Sequence, residues 1–348
     1  MQAYHKNRKL STHKNRKEWM LPSPAKAGGF SILFFMKLKI GIPVEIHPGE
    51  TRQMLLPEDT ADLNGYDIYY AGNPLKPSEI FKMDMVLKLK MPIKGELDMM
   101  REGGILFCMI HPDQNPKYVK AIKDKKLTAI AMENVKDEKG ERLIDCCSLT
   151  GEAGMLYAFN KHHKMPYDCN ILCLGYGRVA SGAIKIAHQL GAQVKILRKS
   201  EFPFIKDHLK GVDVLINALA WPVEWIRHID SHRLVKRADL GLLNEKAIVL
   251  DLSVDYPSPI ETCRPTTVAN PCYEINGIIH IGIYGYPSLK PFTSMRIYSN
   301  QIRKILQDWA KIVSIKTSDW GGDVLPQKTA RASFIEHMPE YLKNAVVK

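Results

Sequence analysis

Residues 170–200, NILCLGYGRVASGAIKIAHQLGAQVKILRKS, hold the residue types with the clearest chemical use. A short apolar run at 171–174 leads into Gly175, Gly177 and Ala180. A helix-like stretch continues to Leu190, and a second apolar run covers 194–197. This is the strand–turn–helix–strand order of a dinucleotide site. Gly175 permits the sharp turn, Gly177 lets backbone approach a pyrophosphate, and the small Ala180 lets the helix pack on the strand. The helix N-terminus then offers unpaired N–H groups to the phosphates. The alternative is a tight strand-to-helix turn that binds no nucleotide.

The second strand ends in Arg198, Lys199 and Ser200. A site for NAD commonly places Asp or Glu here, to accept hydrogen bonds from the ribose 2′-hydroxyl. A carboxylate repels a 2′-phosphate, whereas a guanidinium pairs with it bidentately. These residues predict NADP(H) over NAD(H), against the alternative of a solvated basic loop.

Such a site needs a sheet to carry it. Apolar runs predict strands at 38–44, 67–70, 85–90, 105–109 and 128–132, separated by helices, one of them near 115–125. A connecting helix is expected at 150–164, with Ala153, Leu156, Tyr157 and Phe159 on its apolar face. Later strands are expected at 212–218 and 247–252. Ile297, Ile302, Ile305, Leu306, Trp309 and Ile312 then mark a long amphipathic helix over 294–315. Alternating strands and helices predict an α/β fold with mostly parallel sheets. The long helix is expected to return to the first domain, which makes that domain discontinuous. The expected organisation is a basic tail at 1–35, a substrate domain at 36–149 and 283–348, and an inserted NADP-binding Rossmann domain at 150–282.

At 348 residues the chain is long enough for two domains and a sizeable core. The +12 charge says little about partners, because seven Lys/Arg and one acid, Glu18, lie in the first 35 residues. That segment carries HKNRK at 5–9 and again at 13–17, shows little apolar periodicity, and is expected to be disordered. Either Met36 is the natural start or the tail is unstructured; a targeting peptide is the second reading. Its basic residues lack a folded recognition element, which argues against nucleic acid as a partner. No apolar run reaches membrane-spanning length. The seven cysteines show neither a CxxC pair nor zinc-like spacing, and read as reduced thiols of a cytoplasmic protein. His162-His163 is expected to be a solvated helix end, with no metal.

Several segments resemble the alanine dehydrogenase/transhydrogenase superfamily. They are IGIPVEIHPGETRQMLLP at 40–57, MVLKLKMP at 85–92, MREG at 100–103, ILFCMIHP at 105–112, IVLDLSVD at 248–255 and CRPTT at 263–267. Within it the chain looks like the N(5)-(carboxyethyl)ornithine synthase branch. The 161–168 loop is short, the second nucleotide strand ends in Arg-Lys, and YEINGIIHIGIYGYPSL fills 273–289.

The resemblance implies two Rossmann-like domains and an oxidoreductase acting on a CH–NH bond. Pyruvate would condense with the side-chain amine of ornithine or lysine, and NADPH would reduce the product. It implies that Arg52 holds the keto-acid carboxylate, Lys90 lies near the keto oxygen, His111 exchanges protons, and Asp255 lies beside the nicotinamide ribose. Thr150, Ala218 and Leu219 join Gly175, Gly177, Ala180, Arg198, Lys199 and Ser200 in the cofactor set. Lys88 is expected to share a strand face with Lys90, and Asp251 precedes Asp255 by four residues. The wider superfamily commonly carries Asn where this chain has Gly285. Superfamily members also form oligomers, so a homo-oligomer is expected. The rivals are an alanine dehydrogenase, with ammonia as the amine, and a catalytically silent nucleotide sensor.

Overall fold

A computed structural model describes residues 37–72, 74–318 and 330–348. The expected basic tail lies outside the described residues.

Strands β1 (Leu38–Ile42), β2 (Tyr66–Tyr70), β3 (Met85–Leu87), β4 (Ile105–Cys108) and β5 (Thr128–Ala131) form a wholly parallel sheet in the order β2-β1-β3-β4-β5. Helices α1 (Pro77–Ile80), α2 (Lys94–Met99) and α3 (Pro116–Asp124) fall between these strands. Helix α4 (Cys147–Lys161) leads to β6 (Asn170–Leu174), α5 (Arg178–Gln189), β7 (Gln193–Leu197) and β8 (Val214–Asn217). The short helices α6 (Val223–Arg227) and α7 (Ile229–His232) precede β9 (Ile248–Asp251). A hairpin of β10 (Cys272–Ile275) and β11 (Ile278–Ile281) then completes a second sheet, β10-β11-β9-β8-β6-β7. Its pairs are parallel except β10 with β11. The strands of both sheets are apolar because helices cover both faces.

Helix α8 (Pro291–Ser318) brings the chain back to the first sheet. Ile302, Ile305, Leu306 and Trp309 join Leu38, Ile40, Met85 and Phe107 in one core. Polar groups inside it are satisfied: Tyr66 donates its hydroxyl to Leu306 O at 2.8 Å, and Trp309 donates its indole N–H to Phe334 O at 2.9 Å. Phe334 lies on α9 (Ala330–Glu336), which is followed by α10 (Glu340–Lys343). The chain end covers the edge of β5: Ala131 N donates to Ala345 O, and Val347 N to Ala129 O, both at 2.9 Å. An open strand edge is thereby removed.

Helices α4 and α5 touch backbone to backbone. A Cβ on Gly151 would lie 2.0 Å from Val179 O, and one on Gly182 2.0 Å from Ser148 O. Only two glycines permit this approach, and it seats the helix that starts at Gly177 against the helix that leaves the first sheet. His162, at the end of α4, is buried and not solvated as expected. Its Nδ1 accepts the Lys164 N–H at 3.1 Å, and it stacks on His163.

The α4–α5 contact is directly testable. Gly182→Ala must push the helices apart and is expected to cost about 3 kcal/mol or more of unfolding free energy, read from the urea midpoint. A loss under about 0.5 kcal/mol would show that the helices slide freely.

Candidate active site

Beyond the ends of parallel strands the ladder runs out, and loop N–H groups need other acceptors. In four of these loops a buried carboxylate accepts them. After β3, Glu45 Oε1 accepts Leu89 N at 2.5 Å and Lys90 N at 3.2 Å. After β4, Glu133 accepts the Ile110 N–H at 3.2 Å and, in a very short contact, the His111 N–H. After β1, Glu50 Oε1 accepts Arg52 N at 3.1 Å. After β9, Asp251 Oδ1 accepts Ser253 N at 3.2 Å and Val254 N at 3.0 Å. Arg52, Lys90, His111 and Asp255 therefore all sit on or next to a pinned backbone. Hydrogen bonds to an ionised acceptor are about twice as strong as neutral ones.

Arg52 is buried, and Glu50 grips it from the side. Its Nε reaches Oε1 at 2.7 Å and its Nη2 reaches Oε2 at 2.5 Å. Burial alone would lower the Arg52 pKa, but the hydrogen bonds and charge of Glu50 raise it. Glu50 is held below the usual carboxylate value: burial pushes it up, and the Arg52 bonds and charge outweigh that. Lys90 lies beside Arg52. Burial and then the Arg52 charge pull its ammonium below the ordinary lysine value, while Glu50 and Glu45 pull it back. Its Nζ lies 4.9 Å from the centroid of the Tyr284 ring.

These two cations converge on Gly285. A Cβ there would lie 3.8 Å from Lys90 Nζ and 3.9 Å from Arg52 Nη2. The φ of +93° also suits glycine alone. The bare backbone lets a guanidinium and an ammonium come together there, a pair of charges that suits a small planar anion. Glu133, which pins His111, also raises the Tyr284 hydroxyl pKa, after burial. Its Oε1 lies 3.9 Å from His111 Nδ1. Tyr284 thus meets the Lys90 side of the cation pair. One residue on from Gly285, Tyr286 donates its hydroxyl to Asp251 O at 2.8 Å and Ile281 O at 3.1 Å. Segment 284–286 therefore spans from the loop after β9 to the cations of the first sheet.

Lys88 does not share the environment of Lys90. Strand β3 stops at Leu87, so period-two alternation does not extend across 88–90. Lys88 is 1% exposed and pairs with Glu96 at 2.8 Å and Glu45 at 3.6 Å. It is the counter-ion of the acids beneath the loop.

The glycine turn follows β6, where β7 lies on one side and β8 on the other. This is a switch point of the strand order, where open α/β sheets bind ligands. A Cβ on Gly175 would come 2.9 Å from Ala218 O and 3.1 Å from Leu219 Cδ2, at φ +98°. Nothing stands within 4 Å of a Cβ on Gly177, which begins α5. Ala180 is fully buried. A cleft of about 350 Å³ beside the turn is lined by Gly175, Arg198, Lys199, Leu219, Trp221 and Trp225, among others. Arg198, Lys199 and Ser200 are exposed, and the first two line the cleft. Thr150 lies on α4 and donates its hydroxyl to Cys146 O at 3.0 Å. The tight Gly175 turn, the open backbone at Gly177 and an unpartnered buried indole N–H on Trp221 fit a dinucleotide.

Asp251 and Asp255 play different parts. Asp251 is enclosed and also accepts from Asn217 Nδ2 at 2.9 Å and the Ser258 hydroxyl at 3.2 Å, so it organises the loop. Asp255 lies part-exposed beyond Val254, which takes φ +55°. Burial, and then the charge of Asp251, push the Asp255 carboxyl up to about 6.

Comparison with known proteins gives the chain a family. The family description "Alanine dehydrogenase/PNT, N-terminal domain" matches residues 67–149, and "Alanine dehydrogenase/PNT, C-terminal domain" matches residues 197–328. The chain belongs to the alanine dehydrogenase/PNT superfamily. It is thus one of a group of pyridine nucleotide-dependent oxidoreductases. Alanine dehydrogenase of Methanococcus maripaludis is 26% identical over 75% of this chain and 84% of its own length. The alanine dehydrogenase of Staphylococcus saprophyticus matches at the same identity and coverage. Among solved structures, an L-alanine dehydrogenase superposes with a TM-score of 0.69 at 21% identity, over 89% of this chain and 94% of that one. A transhydrogenase from Sinorhizobium meliloti gives 0.68 at 17% identity, over 79% and 93%. These likenesses carry the α/β fold with its two Rossmann-like parts.

Sequence reasoning overlooked the acids that hold the site's loops. Glu45 and Glu133 read as ordinary polar residues, and only their burial shows that they hold the loops. The Asn276-Gly277 pair was a usable signal for the β10–β11 hairpin; both residues take positive φ, as its turn requires.

Two measurements test the site's electrostatics. Lys88→Met strands Glu45 and Glu96 without their cation, and is expected to cost about 3–5 kcal/mol by urea unfolding. Asp255 has its pKa raised in the folded state, so its ionised form opposes folding. The penalty is complete above pH about 6 and absent below about 4. Asp255→Asn is therefore expected to stabilise the protein by about 1–2 kcal/mol at pH 7–8, with the gain vanishing near pH 4. A gain of equal size at both pH values would rule out titration as its source.

Proposed function

We propose that the chain is an NADPH-dependent oxidoreductase that condenses pyruvate with the side-chain amino group of ornithine or lysine. Reduction of the resulting C=N bond gives an N-(carboxyethyl) amino acid. What supports this reading is the convergence of Arg52 and Lys90 on Gly285, with His111 held on a loop of the same sheet.

The keto acid's carboxylate meets the Arg52 donors not taken by Glu50. Its keto oxygen lies toward Lys90, whose ammonium the anion's arrival stabilises. The amine attacks the keto carbon, and loss of water gives the imine. Imidazole suits both proton movements, since its ordinary pKa lies near neutrality. His111 takes the amine's proton during addition and protonates the departing hydroxyl. Asp255 orients the intermediate from the opposite sheet. The nicotinamide supplies the hydride. Pinned loops matter here because alignment of two reactants is a large share of the rate gain.

Arg198 and Lys199 at the end of β7 support NADPH, since a 2′-phosphate finds cations there and no Asp or Glu at the strand's end. The second reading is reductive amination with ammonia, favoured by the names of the relatives above.

The test follows NADPH oxidation by absorbance, with pyruvate plus ornithine, lysine or ammonia in parallel and NADH as control. Turnover with ornithine or lysine is expected, and turnover with ammonia alone would move the chain to alanine dehydrogenase. No turnover with any amine, alongside NADPH binding, would instead favour a silent sensor. His111→Asn is expected to lower kcat by about 10²–10⁴-fold. Arg52→Lys, which loses the fork, is expected to raise the KM for pyruvate by about tenfold or more.

A further inference from the structure

We propose that Lys199, held over the ring of Trp225, is the group that selects a phosphorylated adenosine ribose, and that Trp221 donates its indole N–H to the same adenosine end. The selection by Lys199 rests on the NADPH reading above.

The cleft beside the glycine turn has two tryptophans in its wall. Lys199 Nζ lies 4.8 Å from the centroid of the Trp225 ring. Trp225 is itself fixed by neighbours. It stacks on His232 at 4.9 Å and 11°, and meets Trp221 edge-on at 5.0 Å and 76°. An exposed lysine ordinarily surrenders much rotamer freedom when it grips an anion. Here the aromatic face already restricts the stem, and attraction to a ring leaves the ammonium's donors able to meet phosphate oxygens.

Arg198 stands at the same rim but shares its turn with an acid. Glu201 Oε2 accepts the Arg198 backbone N–H at 2.9 Å. Lys199 is the cation held over the Trp225 ring, so it reaches a phosphate with less rotamer freedom to lose.

Trp221 supplies the second observation. It is 8% exposed, and its Nε1 has no hydrogen-bond partner. A buried indole N–H without an acceptor is costly. The adenine nitrogens and ribose oxygens of a nucleotide in this cleft are acceptors of the right kind.

The test is titration calorimetry on the full-length protein with adenosine 2′,5′-bisphosphate and adenosine 5′-monophosphate. The wild type is expected to prefer the bisphosphate by about tenfold or more, as a charge-assisted phosphate contact implies. Lys199→Gln should remove most of that preference. Trp225→Leu should reduce it by about threefold, and Trp225→Phe should largely keep it. Trp221→Phe retains a ring but loses the donor, and should weaken both ligands by a similar factor of about fivefold.

A wild-type protein without preference would overturn the NADPH reading and the Lys199 role together. A wild-type preference that survives Lys199→Gln would overturn the Lys199 role alone and leave NADPH standing. Equal weakening of both ligands by Trp225→Leu, with the preference intact, would show that Trp225 merely shapes the wall. Unchanged binding in Trp221→Phe would remove the indole donor. Lys199 is exposed, so its variant decides the matter even where a tryptophan variant folds poorly.

Discussion

A parallel strand that runs past its neighbours leaves bare N–H groups, and this chain satisfies them with carboxylates buried under the loops. Glu45, Glu50, Glu133 and Asp251 each accept from the backbone that carries or precedes a candidate site residue. The arrangement has an electrostatic consequence. Glu50 beside Arg52, and Glu50 and Glu45 near Lys90, favour the cationic forms of both groups. Burying so many acids is expensive unless each is hydrogen-bonded or paired. Lys88, Arg52 and the N–H groups themselves meet most of that need, while burial still raises the Glu45 pKa.

Two close contacts join the sheets. The glycine crossing of α4 and α5 brings the helix leaving the first sheet against the one that begins at the nucleotide turn. Segment 284–286 does the rest: Tyr286 anchors to Asp251 O, Gly285 faces Arg52 and Lys90, and Tyr284 carries the Lys90 ammonium. The site is therefore assembled from residues that are far apart in the chain, and its geometry depends on backbone contacts more than on long side chains.

The loops pay for this in local conformation. His111 takes φ +48° and Val254 φ +55°, both unusual for residues bearing a Cβ. Such positions persist only when the surroundings over-determine them. Glu133 and Asp251, which hold the adjacent N–H groups, supply that determination. Asp255 belongs to the same pattern, since a half-buried carboxyl near Asp251 favours its protonated form and its ionisation costs stability.

Sequence alone was sufficient for the alternation of strands and helices, because a buried parallel strand needs an unbroken apolar run and few other patterns produce one. It also made the Gly175–Ala180 turn recognisable, since glycine at a positive φ and close backbone approach leave marks in residue type. It left Lys88 and Lys90 equivalent, because alternation assumes a strand that the structure ends at Leu87. It concealed Glu45 and Glu133, because an acid's role as a loop anchor depends on burial and not on spacing. It also read His162 as solvated, although the end of α4 packs inward. Local patterns determined the elements, whose causes lie within a few residues. Which lysine faces the cleft, which acid holds which loop, and which cations meet at Gly285 were decided by contacts across tens to hundreds of residues, and those exist only once both sheets have formed.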